Sequence, residues 1–224
     1  AMAAMTAGLR VESLLFLPGF AFNMTASVLV GHYLGAGQPE EAKRYGTYVA
    51  VHAQTNAGVV AALDAGAISI EHGLILEEST VKRMAELGAY YCPQAFLALQ
   101  DVSGNPMFQD PVQKQKNLEV QKGAPQAIEW AKKYGVKILW GTDVFFGDDA
   151  FVNFRQEFAY RDRFFKPIEQ MKQVTGINGE VLALSTWKNP YPHGALGVIK
   201  EGAYADILLI EKDPTKDIKV LMDS

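Results

Sequence analysis

From Tyr45 onward the chain alternates short apolar runs with amphipathic stretches. Tyr48–His52 (YVAVH) is a continuous run of β-branched and aromatic type, as expected for a strand covered on both faces. Asn56–Gly66 follows as a helical stretch closed by Gly66, and Ala67–His72 (AISIEH) is the second predicted strand. Glu77–Gly88 sets Val81, Met84 and Leu87 at helical spacing, with acids at its start and glycine at its end. Ala89–Pro93 (AYYCP) reads as a third strand. A long loop and helical region then closes at Gly135, before a fourth strand, Val136–Asp143 (VKILWGTD). Strand and helix alternating at this rhythm predict parallel βαβ units.

The first part of the chain is different. Between Ser13 and Pro39 there is no Lys, Arg, Asp or Glu, and after Glu40 the sequence becomes mixed and charged. Composition therefore sets a boundary near residues 38–46. The charge-free run is long enough to contact or span a bilayer, although Asn23, Thr25, Ser27 and His32 dilute it. Pro18, Gly19 and Asn23 interrupt the apolar core that a signal peptide needs.

Composition narrows the function classes. The net charge is −4 and basic residues form no stripe, which gives no electrostatic basis for nucleic-acid binding. The aromatic and basic run FAYRDRFFKP reads as a packed amphipathic helix. Cys92 is the sole cysteine, so no disulfide framework exists and the expected compartment is cytoplasmic, with membrane association through residues 13–39 as the alternative. A lone cysteine is ordinarily a small buried apolar residue.

In closed barrels of βα units, chemistry gathers at the C-terminal ends of the strands. His52, His72 and Asp143 occupy three such ends. Together they would make an open metal site with water completing the shell. Each alone is equally at home in a bland role: a histidine at a strand end is more often a hydrogen-bonded structural residue, and Gly-Thr-Asp suits a turn or helix cap. Glu71, next to His72, is expected on the opposite side of the strand, facing helices or solvent. Tyr91 and Gln94 are candidates to shape a substrate pocket, with core packing as the competing role for the tyrosines. His193, in a proline-rich turn, is expected in solvent.

Two resemblances bear on these expectations. VAVHA, SIEHG, YGVKILWGTD and the C-terminal GALGVIKEGAYADILLIEKDPTKDI resemble the metal-dependent amidohydrolase superfamily, nearest its imidazolonepropionase-like and Xaa-Pro or Xaa-Arg dipeptidase branch. The resemblance implies strands five to eight of a (β/α)8 TIM-type barrel over residues 45–193. It also implies tail strands of a small composite β-sandwich over 194–224. His52 and His72 match the metal ligands of the fifth and sixth strands. Asp143 matches the eighth-strand aspartate that binds metal and takes a proton from the attacking water. The implied activity is hydrolysis of peptide or cyclic amide C–N bonds in a small-molecule or dipeptide-like substrate, with a divalent metal, zinc above all.

Residues 8–44 (GLRVESLLFLPGFAFNMTASVLVGHYLGAGQPEEAKR) resemble a fragment of a MATE-type efflux transporter, which implies an apolar helical segment over 1–44. The departures shape the expectation as much as the matches. The family's first-strand His-x-His occurs nowhere, since the histidines are 32, 52, 72 and 193, and no strand precedes Tyr48 to carry the metal-bridging lysine. A full barrel takes roughly 250 residues. The expectation is therefore one weak metal site at most, impaired or absent turnover, and self-association through open barrel edges. A membrane-associated fragment, or a chimera of transporter and amidohydrolase pieces without activity, is the alternative.

Overall fold

The computed structural model describes residues 48–102, 104–105, 109–144 and 153–222. Four parallel strands form one sheet in the order β1-β2-β3-β4, namely Ala50–Thr55, Ser69–Ile75, Tyr90–Cys92 and Lys137–Ile138. Between them run α1 (Asn56–Asp64), α2 (Glu78–Glu86), α3 (Ala95–Leu99) and the long α4 (Pro111–Tyr134). After β4 come α5 (Gln156–Arg161), α6 (Pro167–Lys172), a π-helical turn at Gln173–Ile177 and α7 (Asn178–Ala183).

Local chemistry sets the helix ends. The Thr55 hydroxyl accepts from Gly58 N at the start of α1. The Asp110 carboxylate accepts from Val112 N and Gln113 N at the start of α4, where Pro111 supplies a pre-set φ and lacks the N–H that would otherwise be orphaned. Gly135 ends α4 at φ 71, the left-handed position that glycine tolerates best.

One face of the sheet is buried under α1, α2 and α4. Ala53, Ile70, Tyr91 and Ile138 pack there against Val59, Leu63, Val81, Met84, Ala127 and Ile128. Alternation sends the intervening residues to the other face. There Tyr90, Cys92 and Leu139 are joined by Tyr48 and Ile68 and partly covered by Ile177 and Val181.

The predicted alternation of strand and helix holds, with three corrections. β1 and β2 each run three residues past their histidine, because Thr55 pairs with Ile75 beyond a register shift. The fourth strand is two residues long instead of eight. Leu139 N still donates to Tyr91 O, but Trp140 turns its N–H and C=O to the side chain of Asn178. The tail expected to form sandwich strands carries no strand among its described residues. Ile207, Leu208 and Leu209 run exposed, Leu209 at 95%, since a strand requires a paired neighbour.

No helix among the described residues is long and apolar enough to cross a membrane. The apolar segment expected over 1–44 lies outside the described residues.

Candidate active site

The three predicted metal ligands lie together at the C-terminal side of the sheet. The rings of His52 and His72 meet edge to face, with centroids 4.4 Å apart. His72 Nε2 stands 3.7 Å from Asp143 Oδ2. His72 is buried, whereas His52 and Asp143 are exposed.

This meeting depends on a break in strand alternation. His52 pairs in register with Glu71, so those two share the face away from the helices. Residue 72 would ordinarily point back into the helix layer with Ile70. Instead His72 takes φ 68, and its ring comes round to His52. A non-glycine residue in this region costs of order 1–2 kcal/mol. Gln94 (φ 42) and Asp143 (φ 55) are also left-handed, so β2 carries such a residue within it and β3 and β4 are each followed by one.

The surroundings hold that geometry. His72 N donates to Gln94 Oε1 at 3.0 Å, and Gln94 Nε2 donates to Glu71 Oε2 at 3.1 Å. Ser69 Oγ donates to Glu71 Oε1 at 2.6 Å. The expectation that Glu71 faces helices or solvent is thus corrected. Counting back from His72 misplaces Glu71, because His72 itself leaves the alternation.

Tyr91 takes the competing role, core packing. It is buried in the helix-side core, and its hydroxyl donates to Gly73 O. Gln94 is 4% exposed and has both ends of its amide engaged within the protein, so it braces the site from beneath. His193 is exposed, as expected.

Burial, and next the neighbouring His52, hold the His72 pKa below the usual histidine value, while Asp143 pulls it upward. The neutral imidazole that results is the metal-ligating form. Cys92 is buried, and its thiol is pushed up by burial first and by Glu71 next, which makes it inert.

A second network, which the sequence did not disclose, fixes the turns carrying these residues. Glu157 and Arg161, one helical turn apart on α5, are both fully buried and paired at 2.5 Å. The Glu157 carboxylate accepts from Ala95 N and Phe96 N, at the start of α3 just after Gln94. Arg161 donates to Gln173 Oε1 and to Leu139 O, at the end of β4. Its only sequence trace is the Glu-x-x-x-Arg spacing, which on most helices marks a surface pair.

Two imidazoles and a carboxylate are donor types that suit zinc and related divalent ions. His72 adjoins each of the other two, but among the described residues no three His, Cys, Asp or Glu side chains converge closely enough to hold an ion at once.

The protein is therefore an α/β protein that gathers its functional side chains at the carboxyl ends of a parallel sheet, the usual place for a site in such folds. Residues 38–224 match the amidohydrolase family, and the chain belongs to that family. It is 30% identical over 190 residues to the ochratoxinase of Aspergillus niger, covering 82% of this chain and 36% of that protein. Among solved structures it resembles an amidohydrolase (TM-score 0.68, 32% identity, 82% of this chain and 42% of that one). It also resembles a prolidase complexed with N-methylphosphonate-L-proline (TM-score 0.67, 29% identity, 82% and 43%). The chain thus spans well under half the length of these relatives. The matches give no support to the transporter reading of residues 8–44.

Proposed function

We propose that the chain supplies the fifth to eighth strands of a (β/α)8 barrel and half of a metal-dependent site that hydrolyses a peptide or cyclic amide C–N bond. The observation that carries this reading is the contact of His52 with His72 and of His72 with Asp143 at the carboxyl ends of parallel strands. The names of the relatives, an ochratoxinase and a prolidase bound to a proline phosphonate, favour a small dipeptide-like substrate.

His52, His72 and Asp143, drawn closer together than they stand here, would hold the ion, zinc being the best fit to two imidazoles and one carboxylate. A divalent metal in such a site polarises the carbonyl and brings the pKa of water toward neutrality. Asp143, whose side chain is 45% exposed, would accept the proton of the attacking water. The family's first-strand histidine pair and bridging lysine have no counterpart in this sequence, so the 224-residue chain by itself should bind one ion weakly and turn over slowly.

Zinc titration by calorimetry, with metal content measured on the purified protein, tests the proposal. One weak site that disappears in His52→Ala and in His72→Ala is the expected result. Tight binding of two ions, or binding indifferent to both substitutions, would overturn it.

A further inference from the structure

We infer that Gln94 is a positioning residue: its side-chain amide, braced by Glu71, holds the backbone of His72 in the left-handed conformation that turns its ring toward His52 and Asp143. The consequence for metal affinity rests on the proposed reading of those three residues, whereas the grip itself stands on the hydrogen bonds.

The grip has two points. Gln94 accepts from the His72 N–H and donates to the carboxylate of the preceding residue, Glu71. It reaches them from the turn between β3 and α3, so a neighbouring strand's loop clamps the exact peptide where β2 departs from alternation. Gln94 is buried, which keeps water from competing for the His72 N–H. Its base is fixed as well, because the next two backbone amides are bound by Glu157. Glutamine suits the post by chemistry: it offers an acceptor to an N–H and a donor to a carboxylate at the same time. Leucine could do neither, and a carboxylate would face Glu71.

Two readouts on the 224-residue chain test this. In the unsubstituted protein, the His72 backbone amide should show strong protection from hydrogen exchange. Gln94→Ala should speed that exchange at least about tenfold and weaken cobalt(II) binding by about tenfold, the range seen when groups that orient a ligand are removed. Tyr91→Phe is the control, since it removes the hydroxyl bond to the carbonyl of Gly73, the residue directly after His72. It should lower the urea midpoint and leave the cobalt dissociation constant unchanged.

Exchanging the partners, Glu71→Gln together with Gln94→Glu, preserves charge and lets the carboxylate at position 94 accept both bonds. This pair should restore the affinity and the cobalt d–d spectrum, and it keeps the inference testable if Gln94→Ala fails to fold. An unprotected His72 amide would overturn the inference, as would Gln94→Ala with unchanged exchange and affinity. An unsubstituted chain that binds no cobalt would refute the metal reading alone, and the exchange measurement would still decide the grip.

Discussion

Replacing Arg161 with methionine should be among the most damaging single changes available in this fold. Arg161 and Glu157 are both fully buried, and Arg161 donates to Glu157, Gln173 and the Leu139 carbonyl. Methionine keeps much of the volume and removes the charge. The buried Glu157 carboxylate is then left with only the Ala95 and Phe96 amides as partners. Removing one partner of a buried pair costs roughly 3–5 kcal/mol. Folded domains have about 5–15 kcal/mol in total, so the variant should sit near the edge of stability. The double change Glu157→Gln with Arg161→Met should cost less than Arg161→Met alone, because no charge is left without a partner. Urea unfolding followed by circular dichroism and tryptophan fluorescence measures both. Trp140, whose ring lies 4.7 Å from that of Phe158, reports on this region. A loss below about 1 kcal/mol for the single change, or a double change as costly as the single, would refute the reasoning.

Two further predictions concern packing. Gly123 lies inside α4, where alanine ordinarily gains about 1 kcal/mol. A Cβ there would stand 2.3 Å from the Leu74 carbonyl oxygen, so Gly123→Ala should instead lose about 1–2 kcal/mol, and a raised urea midpoint would contradict the close approach. Cys92 should react with a thiol reagent at least about 100-fold more slowly in the native protein than in denaturant, because burial both hides it and suppresses its thiolate. A native rate near that of free cysteine would place it at the surface.

Periodicity disclosed the layers because each strand and helix in the first part of the sheet meets its neighbours in chain order. The alternation of YVAVH and AISIEH with small-residue and amphipathic helices is enough to place His52 and His72 on adjacent parallel strands, although both strands run on past them. FAYRDRFFKP packs with Phe158, Arg161 and Phe165 buried, but it is helical only through Arg161 and turns before the next helix opens at Pro167. What stayed hidden involves groups distant in sequence acting on single peptides. Nothing near Glu71-His72 says that residue 72 will be left-handed apart from the following Gly73, since the cause is a side chain from the next loop. Val136–Asp143 reads as one strand, yet its ladder stops early because α7 presents Asn178 to Trp140. Tyr91 and Gln94 looked alike as pocket residues, and the pleat sends the tyrosine into the core.

Asn178 has a consequence for what can join this sheet. Leu139 turns its N–H to β3, so the N–H and C=O of Trp140 lie along the outer border of β4. Those are the groups that a strand from another molecule would need. One side-chain amide already saturates both, at 3.0 and 2.8 Å. The protein thus carries a surrogate rung of its own ladder. Any incoming chain would have to evict it before pairing could advance toward Asp143.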